Sequence, residues 1–259
     1  MYPEDRRTRI LNYINSRDFT NVSQISEKFK VSEITARRDL LILAKSRLIN
    51  RVYCGVKSSI PAVSEPVFTE HIKEFHKQKQ QVAREAIKYI NDGETIFLDS
   101  GSTILELAKL LPQKKNLKVI TWGLHILDML CDLARKGEFD GEILCCGGTW
   151  RKDPDLFIGP QSIRFFDDII INKAFLGIIA VNLDFGWMGS SLIEVEATKK
   201  IMSISEKVIG LMISRNFGKT AIARIGPLDS LPVVITDNET DVNTFKKYSS
   251  KGLEIIVAK

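Results

Sequence analysis

The sequence predicts an α/β protein in two modules: a short helical module at the N-terminus, then a larger one whose helices cover a mostly parallel sheet. Three observations carry that expectation. The chain has 259 residues, room for two domains of ordinary size. Its charge is unevenly divided: residues 1–60 hold 12 Lys and Arg against 6 Asp and Glu, net +6, whereas the other 199 hold 25 against 26, net −1, which together make the +5 of the whole chain. From residue 95 onward, short apolar runs alternate with segments of helical period, the pattern of strands buried on both faces by crossover helices.

Composition excludes other classes. A hydrophobic fraction of 44% and a charged fraction of 27% fit a folded globular chain, not a disordered one. No uncharged apolar run approaches the ~18 residues that span a bilayer. The charged start, Met1 to Arg7, lacks the apolar centre of a signal peptide. The four cysteines, Cys54, Cys131, Cys145 and Cys146, form no CxxC pair, and the three His add no metal-ligand cluster. Reduced thiols in a cytoplasmic protein without metal or cofactor are expected.

Three helices fit into the first 47 residues. The first runs from about Asp5 to Asn15, with Ile10, Leu11 and Ile14 at helical spacing. The second runs from about Val22 to Phe29 and places Val22, Ile25, Ser26 and Phe29 on one face. Lys30-Val31 makes a tight connection, and Ser32 is a good N-cap for a third helix reaching about Ser46. There Ala36, Leu40 and Leu43 form the buried stripe, Thr35 and Arg38 lie roughly opposite it with Ile34 and Ile42 nearby, and Arg37 lies on the flank. Two helices joined by a short turn, the second opening with Ser, Thr and Arg, have the shape of a helix-turn-helix. Arg38 and Arg37 can reach guanine edges or phosphates, and Thr35 and Ile34 a thymine methyl. Leu48 to Lys57 then reads as two short strands around a turn, a wing whose Arg51 and Lys57 can reach the backbone of double-stranded DNA. Ser58 to Pro66, polar and with two prolines, reads as a linker. The expected organisation is a winged helix-turn-helix over 1–57, a linker over 58–74, and an α/β domain over 75–259.

In the larger module, Phe68 to Ile90 has a helical pattern closed by Asn91-Asp92-Gly93. Strands are expected at Thr95–Leu98, Leu117–Thr121, Glu142–Cys146, Ala174–Val181, Val208–Ile213, Leu231–Thr236 and Gly252–Val257. Helices are expected from Ser102 or Thr103 to Leu111, at Leu124–Arg135, within Ile163–Ile171 and at Glu194–Ile204. No GxGxxG is present, so a dinucleotide fingerprint is absent. Ligands in such sheets bind beyond the carboxyl ends of the strands, and three segments stand there. Asp99-Ser100-Gly101-Ser102-Thr103 joins a strand to a helix; its small residues let backbone N–H groups approach an anion and its hydroxyls add hydrogen bonds. Thr121-Trp122-Gly123 and Gly147-Gly148-Thr149 follow the next two strands. Tight turns with an N-cap would look the same singly; three together point to a pocket for a phosphorylated small molecule, to which Lys199 could add charge.

These residues also carry a resemblance. Val31-Ser-Glu-Ile-Thr-Ala-Arg-Arg-Asp-Leu40 with Leu48-Ile-Asn-Arg-Val-Tyr-Cys-Gly-Val56 resembles the recognition helix and wing of DeoR-type bacterial repressors. Leu98-Asp-Ser-Gly-Ser-Thr103, Cys146-Gly-Gly148, Phe175-Leu-Gly177, Glu196-Ala-Thr-Lys199, Phe217-Gly-Lys219 and Ile235-Thr-Asp237 extend it through the sensor domain. The resemblance implies a sequence-specific transcriptional repressor of carbohydrate-metabolism genes. It also implies control by a sugar phosphate, assembly into a homo-oligomer, and a sensor fold related to sugar-phosphate isomerases. Departures from the family pattern are Ala36, Cys54, Trp122, Asn172, Ala180, Ile213 and Asn216. The competing reading is a sugar-phosphate isomerase or deaminase with a basic arm. Asp99, Glu194 and Glu196 are carboxylates available for its chemistry, but Ile213 and Asn216 stand where the family has Asp and Lys. A regulator without catalytic residues is the expectation.

Overall fold

A computed structural model of the chain describes residues 6, 7, 10, 13, 14, 20–45, 49–52, 55–58, 74–152 and 154–259. The main parts of its two compact units are residues 1–64 and residues 65–218 with 222–259.

In the first unit, Arg6, Arg7, Ile10, Tyr13 and Ile14 are helical. They are followed by strand β1 (Thr20–Asn21), helix α1 (Val22–Phe29), helix α2 (Glu33–Lys45) and strands β2 (Ile49–Val52) and β3 (Gly55–Ser58). Asn21 starts α1 through a capping box: its side chain accepts from the Gln24 N–H at 2.8 Å, and the Gln24 side chain accepts from the Asn21 N–H at 3.0 Å. Lys30 ends α1 in the left-handed region (φ 52°), which turns the chain within three residues into α2. Ile10, Ile14, Ile25, Ala36, Leu40, Leu43, Ile49 and Val56 form one buried cluster, and Tyr13 meets Phe29 edge to face at 5.7 Å. The expected stripe of α2 is therefore the buried one. β2 and β3 pair antiparallel as the wing, and β1, absent from the sequence reading, adds a third strand beside β3. The wing turn at Tyr53-Cys54 and the linker residues 59–73 lie outside the described residues.

The second unit begins with helix α3 (His76–Ala86) and continues β4 (Thr95–Leu98), α4 (Ser102–Ala108), β5 (Lys118–Thr121), α5 (Leu124–Arg135) and β6 (Glu142–Cys145). A hairpin of β7 (Thr149–Arg151) and β8 (Leu156–Ile158) precedes α6 (Pro160–Phe165) and β9 (Ile171–Gly177). Then come β10 (Ala180–Asn182), β11 (Gly186–Gly189), α7 (Leu192–Ser203), β12 (Ser205–Leu211), β13 (Ala223–Gly226), β14 (Val233–Thr236), α8 (Val242–Ser249) and β15 (Glu254–Val257). Seven strands form one sheet in the order β15-β14-β12-β9-β4-β5-β6, every neighbouring pair parallel. Its residues alternate between two cores. Phe97, Ile120, Ala174 and Leu176 face one with α7; Ile96, Leu98, Val119 and Phe175 face the other with α3, α4 and α5.

All seven expected strands are present, with corrections around them. The helix expected within Ile163–Ile171 is α6, which starts earlier, with Pro160 at its first turn. Ile171 already belongs to β9. The single strand expected over Ala174–Val181 is two, β9 in the main sheet and β10 in a separate antiparallel sheet ordered β10-β11-β13. Chain order along the main sheet reverses at its centre. The chain moves outward from β4 through β5 to β6, returns to β9 on the other side of β4, and continues outward to β15. The carboxyl ends of β4 and β9 thus flank the switch point, where open α/β sheets form a crevice.

Candidate functional site

The first unit presents an exposed surface along α2. Ser32 Oγ caps the helix, accepting from the Thr35 N–H at 3.2 Å and lying 2.9 Å from Thr35 Oγ1. Ile34 is 80% exposed, a large apolar side chain left in solvent at the start of the helix. Arg37 is exposed and bonds Glu33 Oε2 at 3.3 Å, an ordinary i,i+4 pair. Arg38 is exposed with no ion pair among the described residues. Ser32, Ile34, Thr35, Arg37 and Arg38 thus share the outer part of α2, opposite Ala36, Leu40 and Leu43. Arg51 and Lys57 stand on the two wing strands, and their side chains lie outside the described ones. The motif Arg37-Arg38-Asp39-Leu40 divides in space: its arginines face out, while Asp39 and Leu40 are each 3% exposed. The sequence reading assigned Asp39 no role.

At the switch point of the second unit, the loop Asp99–Thr103 leaves β4. Gly101 takes φ 104°, a conformation that L side chains rarely adopt, and no side chain caps α4 behind it. Asp99 is held from three sides. Its Oδ1 accepts from the Ser100 N–H at 2.7 Å and the Trp122 Nε1–H at 2.8 Å, and its Oδ2 from the Gly177 N–H at 2.9 Å. Those donors favour the carboxylate, but burial and the nearby Glu194 charge oppose it, and the balance pushes the Asp99 pKa up from 3.8 to about 7. Glu194 stands in the first turn of α7, where Ser190 Oγ and Ser191 Oγ donate to its two oxygens at 2.7 and 2.8 Å. Ser191 in turn caps that helix.

The other expected effector residues divide by burial. Ser100, Gly101, Ser102 and Thr103 are partly exposed. Thr121 is fully buried, its Oγ1 accepting from the Gly123 N–H at 3.1 Å. Trp122 is 1% exposed, packs edge to face against Phe97 at 5.1 Å and donates its indole N–H to Asp99. Gly147 and Gly148 take φ 68° and 110°. A Cβ on Gly148 would stand 2.3 Å from Ser162 Oγ, which donates to the Gly147 carbonyl at 2.5 Å. Lys199 is exposed on α7 and makes no ion pair among the described residues. Sequence reasoning gives no site role to Gly177, Ser162 or Asp155. The Asp155 carboxylate bonds His125 at the start of α5 and accepts from Trp150 Nε1 at 3.1 Å, fastening the β7–β8 hairpin beside the turn after β5. Among the described residues, no group of three or more His, Cys, Asp or Glu could hold a metal ion, and no helix is long and apolar enough to cross a membrane.

Residues 6–61 match the DeoR-like helix-turn-helix domain family and residues 74–238 the DeoR C terminal sensor domain family. The HTH-type transcriptional regulator IolR of Bacillus subtilis (strain 168) is 28% identical over 229 residues, which cover 88% of this chain and 89% of that protein. The glycerol-3-phosphate regulon repressor of Escherichia coli (strain K12) is 24% identical over 255 residues, 98% of this chain and 99% of the repressor. Among solved structures, the ribose 5-phosphate isomerase A of Methanocaldococcus jannaschii is 17% identical, with 55% of this chain and 54% of that one covered and a TM-score of 0.37. With an exposed helix-turn-helix surface at one end and a sensor-domain match spanning most of the other, the chain belongs to the DeoR family of DNA-binding transcriptional regulators.

Proposed function

We propose that the protein is a cytoplasmic repressor of carbohydrate-metabolism genes, released from its operator by a phosphorylated sugar or related metabolite. The observation that carries this reading is the loop Asp99–Thr103 at the switch point: a glycine-bent, uncapped turn whose backbone N–H groups suit an anion, beside a carboxylate that suits hydroxyl donors. Residues 1–57 bind DNA through Ser32, Ile34, Thr35, Arg37, Arg38, Arg51 and Lys57, residues 58–74 link, and residues 75–259 sense and oligomerise. Ser100, Gly101, Ser102 and Thr103 take the phosphate, and Gly147 and Gly148 form the facing wall. Asp99, whose two oxygens have acceptor capacity beyond the three fixed donors, acts on the ligand as an acceptor and does no chemistry. An effector that binds one conformer better shifts the population away from the DNA-competent one, and DNA weakens the effector by the same factor. A single winged helix reads few base pairs, so two or more copies act on repeated half-sites.

The test is calorimetric titration with a panel of sugar phosphates, alongside turnover assays on the same compounds. Ser102→Asp suits α4, because an acid is favourable in a first turn, yet it repels an anion at the loop. A binder whose affinity falls at least tenfold in Ser102→Asp supports the site. Equal binding refutes the site, and isomerisation or deamination of any compound refutes the regulator-only reading.

A further inference from the structure

Asp39 is a buried carboxylate in the middle of α2 that the DNA-facing surface leaves unused. An ionised carboxylate out of water is costly unless a charge and hydrogen bonds meet it. Here Arg6 meets it with a fork: Nε donates to Oδ2 at 2.7 Å and Nη2 to Oδ1 at 3.4 Å. Arg7 Nη1 stands 3.8 Å from Oδ1. Arg6 and Arg7 belong to the helical residues that precede β1, and Ile10 and Ile14 of the same stretch pack against Ala36, Leu40 and Leu43. The apolar contacts are non-directional, whereas a guanidinium–carboxylate fork is planar and has a defined orientation. Asp39 is also the immediate neighbour of Arg38.

We propose that Asp39 is a positioning residue for DNA reading: through Arg6, with Arg7 alongside, it fixes the roll of α2 about its own axis and so the direction in which Thr35 and Arg38 are presented. The lever is short but sufficient. At about 6 Å from the axis, a roll of about 20° moves a side-chain atom by about 2 Å, enough to break a hydrogen bond to a base edge. The same pairing draws Arg6 and Arg7 inward, so two of the basic residues behind the +6 of the first 60 serve geometry and not phosphate attraction. Asp39 holds the Arg6 proton more tightly than usual, chiefly through their hydrogen bond, so Arg6 stays charged over the whole working pH range.

The experiment uses the full chain and the duplex it selects from a random pool. Affinity for that duplex and for a scrambled one is measured by fluorescence anisotropy, with helix content followed by circular dichroism. Arg6→Lys keeps the charge and removes the fork; Asp39→Asn keeps the shape and removes the charge. Both are expected to lower the ratio of selected to scrambled affinity fivefold or more with helix content unchanged. Scrambled affinity should hold in Arg6→Lys and hold or rise in Asp39→Asn, which is one charge more positive. The double variant Arg6→Gln/Asp39→Asn, which leaves no buried charge unpaired, should recover part of the ratio lost in Asp39→Asn. A ratio unchanged within twofold in Arg6→Lys overturns the proposal. So does a parallel fall of both affinities with loss of helix, the mark of a residue that merely keeps the unit folded.

Discussion

Replacing Asp99 by Asn should change how stability depends on pH in a direction opposite to that of most carboxylates. In the folded chain Asp99 titrates near 7 instead of 3.8, chiefly because burial penalises its charge. Between those values the folded state keeps a proton that the unfolded state has released, so stability falls as pH rises through the window and is level above it. The interval of about 3 pH units corresponds to roughly 4 kcal/mol at 1.36 kcal/mol per unit. Asp99 as a residue is only partly buried, so screening by solvent reduces the penalty and about 2 kcal/mol is the working expectation. Asp99→Asn removes the titration, although its amide must set an N–H against one of the three donors and lowers stability overall by about 1–3 kcal/mol. Urea unfolding followed by tryptophan emission from pH 4 to 7.5 reads the second unit alone, because Trp122, Trp150 and Trp187 all lie beyond residue 75. The stability difference, wild type minus variant, should shrink by about 2 kcal/mol across the range. A flat difference, or one that grows with pH, would refute the account of Asp99 as a carboxylate held against its own desolvation.

Other substitutions test neighbouring parts. Trp122→Phe keeps the aromatic packing on Phe97 but deletes one donor to Asp99, and should move the same window to higher pH; an unmoved window in the urea series contradicts the hydrogen bond. Arg38→Ala should cost about 1–3 kcal/mol in affinity for the selected duplex, and Arg37→Ala less, since Arg37 is shared with Glu33; anisotropy that ranks them the other way reverses the assignment. Gly148→Ala should destabilise by about 2–4 kcal/mol, combining left-handed backbone strain with the overlap on Ser162. Gly101→Ala, strained but facing open space, should lose only about 1–2 kcal/mol. Equal midpoints for the two in urea would show that the Gly148 turn is looser than described.

The strands of the main sheet were legible because burial on both faces leaves continuous apolar runs such as Ile96-Phe97-Leu98. The hairpin and the small sheet left no such trace. β7 is exposed along its length, and β11 is Gly-Trp-Met-Gly, whose glycines read as breaks. Pro160 reads as a breaker too, yet at a first turn it is a start signal. The strand ends of the candidate site were visible as small-residue turns, but not what holds them. Asp99 meets Trp122 across 23 positions and Gly177 across 78, separations that only strand order reveals. The inward bond of Trp122 was hidden in the same way, because nothing local to a strand-end indole shows that its N–H reaches Asp99. Asp39 was hidden differently, as one more polar residue in a basic motif whose partner lies 33 positions earlier.

The strand order also sets a timetable for synthesis. The winged helix closes on contacts drawn from its first 58 residues, so it can be complete early. β4, the centre of the sheet, pairs with β5 soon after it emerges, but its other neighbour is β9, which begins at Ile171 while β4 ends at Leu98. At about 5–20 residues per second, that gap of 73 residues keeps one edge of β4 open for roughly 4–15 seconds on the ribosome. Each new molecule therefore passes through an interval in which its DNA-reading end is finished and the strand pair at the switch point of its sheet does not yet exist.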